Sequence, residues 1–479
     1  MSEFIGLDRR TLLKSAGALA LTSFAGTIGA AAQRRKYAIV GMGSRSRMYT
    51  QAITETYRDR NELVAICDTN PGRLQLAART VARASANPKS FAAADFGKMI
   101  AETKPHAVIV TTPCATHHEY IIRALDAGCD VITEKPLTTT ADKAQAILDA
   151  CKRNNRHVRV MFNYRYSPPR TQVKELLMSN AIGDVLSVDF HWLLNTLHGA
   201  DYFRRWHSQK RMSGGLMVHK ATHHFDLVNW WLSSQPEWVL ANGKREFYTS
   251  AMAKRMGLKS HHERCRTCPE ANACTFYLDL AADPGFKALY LDNEKFDGYF
   301  RDQCVFRPEI DIEDTMNVIV RYRSGATLSY SLNACNAYEG YQIAFNGTKG
   351  RLEHSMVEGA ASFAGATQTG TVKGDVVRTR IIPMRGKAQE IEPWTGDGAH
   401  GGGDKVMLDE VFGVAPEDKY MRASDERAGA YSMLIGAAAN QCFEGNAAVR
   451  IEDLVRGLSA PAMPAMPTRE TPVPMPMRV

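Results

Sequence analysis

Short, fully apolar runs alternate with segments of helical spacing through the first third of the chain. Residues 37–40, 64–67, 107–112, 131–133 and 158–162 are rich in Val, Ile and Ala and are bounded by turn residues, which predicts strands buried on both faces. Between them, segments such as 115–127 place apolar residues at helical intervals. This rhythm predicts an α/β fold whose first domain is a doubly wound parallel sheet. From about Tyr166 the pattern changes. Residues 185–193, 316–322, 327–333 and 341–345 alternate apolar with polar, which predicts a second α/β domain with a large, open, mostly antiparallel sheet that keeps one face for solvent or an interface. Residues 423–444 have helical spacing, and the Pro- and Met-rich last twenty or so residues are expected to be extended and poorly ordered.

Composition narrows the class. A chain of 479 residues, 44% hydrophobic and 23% charged, supplies two sizeable cores. The net charge of +8 is modest, and the basic residues are dispersed among acids, which argues against a nucleic-acid partner. Ten cysteines are too few for a disulfide scaffold, and Cys67, Cys114 and Cys129 sit in apolar surroundings as expected buried hydrophobes. Near the start, Asp8-Arg9-Arg10-Thr11-Leu12-Leu13-Lys14 precedes a short Ala/Leu/Gly/Ser stretch and Ala30-Ala31-Ala32. This resembles a twin-arginine export signal over residues 1–32, with cleavage after Ala32. It predicts a periplasmic or otherwise exported protein, with a retained tether as the alternative. No later segment is long enough to span a bilayer, so no stable membrane insertion is expected.

The most specific chemistry lies in Tyr37-Ala-Ile-Val-Gly41-Met-Gly43-Ser44-Arg45-Ser46, followed by Asp68 at the end of the next apolar run. The first glycine permits a tight turn, the second lets the backbone approach a pyrophosphate, and the following helix offers free N–H groups. Asp68 lies at the distance expected of the acid that binds the ribose 2′-hydroxyl, which favours NAD; nearby Arg73 leaves NADP open. The second motif, Thr133-Glu134-Lys135-Pro136, falls at the carboxyl end of a parallel strand, where ligands of doubly wound sheets bind. Pro136 restricts Lys135 to an extended backbone and allows a cis bond.

Together with Thr112-Pro113, His117-His118, Asn163-Tyr164-Arg165 and Ser213-Gly214-Gly215 leading to His223-His224-Phe225-Asp226, these motifs resemble the Gfo/Idh/MocA oxidoreductases over roughly residues 36–454. The resemblance implies a Rossmann domain over residues 33–165, a substrate and oligomerisation domain over 166–455, and a tail over 456–479. It implies NAD(P)-dependent chemistry on a hydroxyl of a sugar, cyclitol or glycoside, a small-molecule carbohydrate partner and a homo-oligomer. Gly41, Gly43, Ser44, Arg45, Asp68, Thr112, Pro113, His117, Glu134 and Lys135 would hold the cofactor. Lys135 matches the family's catalytic lysine and His223 its histidine, the expected general base. The chain departs from the family pattern four residues earlier, where many members have aspartate and this one has His219, followed by Lys220. Lys220 is therefore a further catalytic or substrate-binding candidate. Tyr164, Arg165, Arg204, Trp206 and His224 are expected at the substrate, in part because the stretch from Asn195 to His207 reads as a polar-aromatic loop suited to a pyranose. His224 and Asp226 have an equally good reading as core or hydrogen-bonding residues.

Within an insertion over 261–304, His261-His262 precede Cys265, Cys268 and Cys274, and Cys304 follows. The Cys-x2-Cys spacing suits a four-thiolate structural zinc site, with two disulfides or an iron–sulfur cluster as alternatives. The glycine run around His400 reads as a flexible turn, with a reach back to the active site as the alternative. Three functions are compatible with the motifs: a dehydrogenase with tightly held cofactor, an NAD-dependent glycoside hydrolase working by transient C3 oxidation and elimination, and a non-catalytic sugar sensor. Presence of both Lys135 and His223 argues against the sensor.

Overall fold

The computed structural model describes residues 33–260, 262–358, 376–396, 401–415, 417–467, 470 and 472–475. The export-signal segment, His261 and His400 lie outside the described residues. Six strands form the first sheet: β1 (Arg35–Val40), β2 (Asn61–Asp68), β3 (Lys89–Ala92), β4 (Ala107–Val110), β5 (Asp130–Glu134) and β6 (Val158–Met161). All pairings are parallel, in the order β3-β2-β1-β4-β5-β6. The order reverses between β1 and β4, which opens a crevice at their carboxyl ends. β3 is absent from the hydrophobic pattern because it is a short edge strand that buries only Phe91.

Nine strands form the second sheet: β7 (Val185–Asn195), β8 (Pro236–Lys244), β9 (Thr315–Tyr322), β10 (Thr327–Asn336), β11 (Glu339–Gly347), β12 (Gly350–Glu358), β13 (Val376–Pro383), β14 (Gln389–Ile391) and β15 (Val449–Arg450). Their order is β14-β13-β12-β11-β7-β10-β9-β8-β15, and only the β7–β10 pairing is parallel. The period of two is clean in β9, where Met316, Val318, Val320 and Tyr322 are buried and Asn317, Ile319 and Arg321 are exposed. One face thus builds core and the other stays open. The buried helix Glu426–Gly445 packs between β8 and the helices Gly215–His219 and Thr222–Leu232. Among the described residues, no helix is long and apolar enough to cross a membrane.

Three expectations change. The polar-aromatic stretch is a helix, Thr196–Arg204, because Asn195 caps it by accepting from the His198 N–H at 2.8 Å. The boundary at residue 165 does not close the first domain. Met407 and Phe412, on the helix Gly403–Phe412, complete a core with Tyr37, Ile39, Tyr49, Met161 and Tyr166, and the Val160 N–H donates to the Ser424 carbonyl at 3.0 Å. The tail has no regular secondary structure in its described part, but it is tethered: Ser233 donates to the Pro464 carbonyl at 2.8 Å, and Arg427 to the Ala460 carbonyl at 3.0 Å.

The insertion reaches the first domain. Asn70 caps the helix Pro71–Ala82 and donates its side-chain amide to the Asn293 carbonyl at 2.9 Å. Arg73, in the same turn, forms an ion pair with Asp297.

Candidate active site

The glycine turn sits where the strand order reverses. Gly41 has φ +92°, and a Cβ there would lie 2.7 Å from the Thr112 backbone nitrogen, so the position demands glycine. A Cβ on Gly43 would meet nothing within 4 Å. Its open side faces the approach that a pyrophosphate needs. Ser44 is exposed beside it, and Ser46 donates to the Gly43 carbonyl at 2.8 Å. Asp68 braces this turn, accepting from the Met42 N–H at 2.5 Å and the Asn70 N–H at 2.7 Å. Arg73, read from sequence as a possible 2′-phosphate ligand, lies 3.7 Å from Asp68 and pairs with Asp297. Two carboxylates neutralise it, and the ribose end is therefore built for NAD.

Glu134 links the turn to the catalytic strand. Its Oε1 accepts from Arg45 Nε at 2.6 Å and from the Tyr49 hydroxyl at 2.7 Å. Arg45 also approaches Asp404 at 3.8 Å, the acid that ends the glycine run around His400, whose alternative reading was a reach back to the active site. His117 is buried between the Thr112 and Pro136 carbonyls, each 2.9 Å from one ring nitrogen. It ties the end of β4 to the turn after β5, placing Thr112 and Pro113 along the crevice. These residues fit a dinucleotide: a glycine cradle, a helix start beyond it and an acid at the ribose end.

Lys135 follows directly, and the Lys135–Pro136 peptide is cis. Lys135 Nζ is 3.4 Å from His219 Nε2 and donates to the His219 carbonyl at 3.1 Å. On the other side of the ring, His219 Nδ1 is 3.2 Å from Cys114 Sγ. Burial pushes the Lys135 ammonium down to about 8 and the Cys114 thiol up to about 12. Burial, then the Lys135 charge, holds His219 well below the usual imidazole range, so its ring is neutral. A neutral ring carries one proton and can place it on either nitrogen. When Lys135 is charged, Nε2 accepts from Nζ and Nδ1–H points at sulfur; when Lys135 is neutral, the thiol donates to Nδ1. Lys135, His219 and Cys114 therefore form one proton-sharing line. Cys114 is buried as expected, but it is part of the site.

The wall around His219 is aromatic. The His207 ring centroid lies 4.2 Å away, Tyr202 at 5.6 Å and Trp206 at 5.8 Å, with Trp206 stacked on His207 at 3.6 Å. Trp206, expected at the substrate, stands in this wall beside Tyr202 and His207, which were not singled out. Their signal was the helix Thr196–Arg204 and the short turn Trp206–Ser208, which the loop reading hid.

His223 and Lys220 contact another set of aromatic rings. The His223 ring stacks on Tyr164 at 4.2 Å and 15°, with Phe162 edge-on at 6.0 Å. Lys220 Nζ lies 3.5 Å from the Tyr164 hydroxyl, 3.8 Å from Glu339 Oε1 and 4.7 Å from the Trp192 ring centroid. Burial lowers the Lys220 ammonium despite Glu339. Burial would raise Glu339, but His198, at 3.0 Å, and Lys220 reverse this and bring it below the usual carboxylate range. The histidine that touches Lys135 is therefore His219, one helical turn before the residue expected from sequence.

Three expected substrate residues have other partners. Arg165 is buried and makes a two-pronged pair with Asp226, Nε to Oδ2 at 2.7 Å and Nη2 to Oδ1 at 2.6 Å. This supports the hydrogen-bonding reading of Asp226. His224 is fully buried, stacked on Trp192 at 3.9 Å and hydrogen-bonded to the Tyr330 hydroxyl at 2.6 Å, as a core histidine. Arg204 turns into the insertion, donating to Cys265 Sγ at 3.2 Å and the Phe276 carbonyl at 2.8 Å. Among the described residues, no three His, Cys, Asp or Glu side chains are grouped as one metal ion needs, so the zinc site expected at Cys265, Cys268, Cys274 and Cys304 is not shown preformed. All four cysteines are unpaired with one another by disulfides.

Comparison with known proteins agrees with the geometry. Residues 35–162 match the NAD-binding Rossmann fold of the oxidoreductase family Gfo/Idh/MocA, and residues 174–451 match its C-terminal alpha/beta domain. YteT of Bacillus subtilis, named as an oxidoreductase, is 36% identical over 83% of this chain and 93% of its own length. D-glucoside 3-dehydrogenase of Escherichia coli is 28% identical over 31% of this chain and 41% of that protein. In fold, the WlbA dehydrogenase of Bordetella pertussis, solved with NADH and UDP-GlcNAcA, matches 87% of this chain and 99% of that one at TM-score 0.58 and 20% identity. With both domain models matched along the chain and the glycine turn, Asp68 and Lys135 brought to one crevice, the protein belongs to the Gfo/Idh/MocA family of NAD-binding oxidoreductases.

Proposed function

We propose that this oxidoreductase removes hydride from the carbon bearing a secondary hydroxyl of a sugar or glycoside, with Lys135 taking the hydroxyl proton and His219 positioning Lys135. The observation that carries this reading is the Lys135–His219–Cys114 line at the carboxyl end of β5, beside the residues that suit the dinucleotide. The cofactor supplies the hydride acceptor. Lys135 orients the hydroxyl and, when neutral, accepts its proton; His219 holds the ammonium in place and disperses its charge toward Cys114. The aromatic wall of Tyr202, Trp206 and His207 suits the C–H face of a pyranose. The likeness to a D-glucoside 3-dehydrogenase supports a sugar as substrate.

A second reading keeps the same site but returns the hydride. The insertion reaches the ribose end of the crevice through Asn293 and Asp297, an arrangement suited to a cofactor that stays bound. Residues 9–14 support export by the twin-arginine route into a compartment without a free NAD pool. A C3 ketone made in a glycoside would acidify C2–H and allow the anomeric group to leave; water would then add, its hydroxyl at C1 and a solvent proton at C2, before the bound reduced cofactor returns its hydride to C3. Heavy-water turnover of candidate glycosides separates the readings. Deuterium at C2 of a released sugar indicates the oxidation–elimination cycle, and a stable keto-glycoside or a second reduced sugar indicates the dehydrogenase. No cofactor reduction by any glycoside in a broad panel, with NAD(H) shown to be bound, would count against both.

A further inference from the structure

We propose that Cys265, Cys268, Cys274 and Cys304 together hold a four-iron iron–sulfur cluster in the cavity they line. The four come from two segments that the fold brings together. The Cys265 N–H donates to the Asp302 carbonyl at 2.8 Å, the Cys304 N–H to the Glu263 carbonyl at 2.7 Å, and Arg264 pairs with Gln303 as an isolated bridge. All four side chains, with Leu258, Phe276 and Phe306, line one cavity of about 360 Å³ including its open mouth.

The spacing selects the ligand. One zinc ion needs all its sulfurs at about 2.3 Å from a single point. No three of these side chains are grouped that way. In a cubane cluster each thiolate binds its own iron, so the sulfurs stand apart around a filled centre. Four sulfurs can therefore line one cavity without meeting at a single point, and these four line one cavity. Two disulfides would need the sulfurs drawn together in pairs, and none is paired.

Burial favours the protonated thiol at Cys274 and Cys304, and hydrogen bonds to the two sulfurs work against it. The Phe306 N–H donates to Cys304 Sγ at 3.4 Å, and the Phe276 backbone donates likewise to Cys274, so Cys274-Thr275-Phe276 and Cys304-Val305-Phe306 repeat one local device. The two phenyl rings meet edge to face at 5.5 Å. Arg204, buried and directed away from the substrate, donates to Cys265 Sγ. Hydrogen bonds to cluster sulfurs and an apolar shell are the means by which a protein stabilises and tunes such a centre. Uptake needs no change of oxidation state: as a cluster-assembly system hands over a preformed cluster, the four bonds from iron to the donor's thiolates break while four to these cysteines form, and the protons lost by these four thiols are taken up by the departing thiolates. The local core of the insertion is small, built on Cys265, Leu278 and Leu280, so a centre here would fix the segment that carries Asn293 and Asp297.

The test is composition of the full chain expressed with iron and purified without oxygen. Expected are about four iron and four acid-labile sulfide per chain, with broad visible absorption that bleaches on reduction. A Cys274→Ser/Cys304→Ser double variant loses both while keeping a cooperative thermal transition, and Cys335→Ser, outside the set, keeps both. About one zinc per chain without sulfide, mass-spectrometric detection of two disulfides, or four free thiols after anaerobic reconstitution with iron and sulfide would each overturn the proposal.

Discussion

Lys135 titrates in a useful range because burial works against its charge. With its ammonium brought down to about 8, the residue is charged below that pH and neutral above it. Oxidation of a hydroxyl needs the neutral acceptor and reduction of a ketone needs the charged donor. The rate of oxidation is therefore expected to rise as pH increases through about 8, and the rate of reduction to fall across the same interval; steady-state pH profiles in both directions check this. Lys135→Ala should lower hydride transfer by about a hundredfold to ten-thousandfold while NAD(H) released by denaturation stays unchanged. His219→Ala should cut the rate and shift the pH limb, because it removes the partner that shares the Lys135 proton. His223 is stacked on Tyr164, and His223→Phe should spare the limb. If instead His223→Phe removes the limb and His219→Ala leaves it, the base assignment reverts to the residue expected from sequence.

At the level of elements, two pairings decide stability and cofactor choice. Arg165 and Asp226 join the turn Asn163–Tyr166 to the helix Thr222–Leu232, with both side chains almost wholly buried. Removing one member strands the other charge, and Asp226→Ala should destabilise the protein by about 3–5 kcal/mol, measured by denaturant unfolding. Asp297 holds Arg73 at the ribose end of the crevice. Asp297→Ala should free the guanidinium and raise kcat/KM for NADP relative to NAD; unchanged preference would show that Asp68 alone sets it. The Rossmann elements were legible because continuous apolar runs, a glycine turn and an acid are local signals. Gly41, Asp68, Glu134 and Lys135 belong to such motifs, and they converge. His219 was visible only as a departure from a pattern, and its contact with Cys114 joins residues 105 apart in sequence. Arg204 misled because a charged residue beside aromatics looks the same whether it faces a sugar or a sulfur; only the fold turns it one way.

For the molecule as a whole, we propose the open face of the nine-stranded sheet as a surface for self-association. Leu240 and Ile319 are directly paired across β8 and β9, and both are exposed. An assembly larger than one chain is expected by light scattering, and Ile319→Lys should reduce it; unaltered mass in the variant would place the interface elsewhere.

The helix Gly403–Phe412 carries a consequence for synthesis. Tyr57 donates to Asp409 at 2.6 Å across 352 residues of sequence, and Phe412 packs edge-on against Tyr37 at 5.2 Å. The domain made first on the ribosome thus waits for nearly the last part of the chain before its own core is closed. A ribosome-stalled chain ending near residue 390 should leave that domain sensitive to protease, whereas release of the full chain should protect it. Maturation then becomes an all-or-none event that follows translation, and a quality-control step placed after release would sense both domains at once.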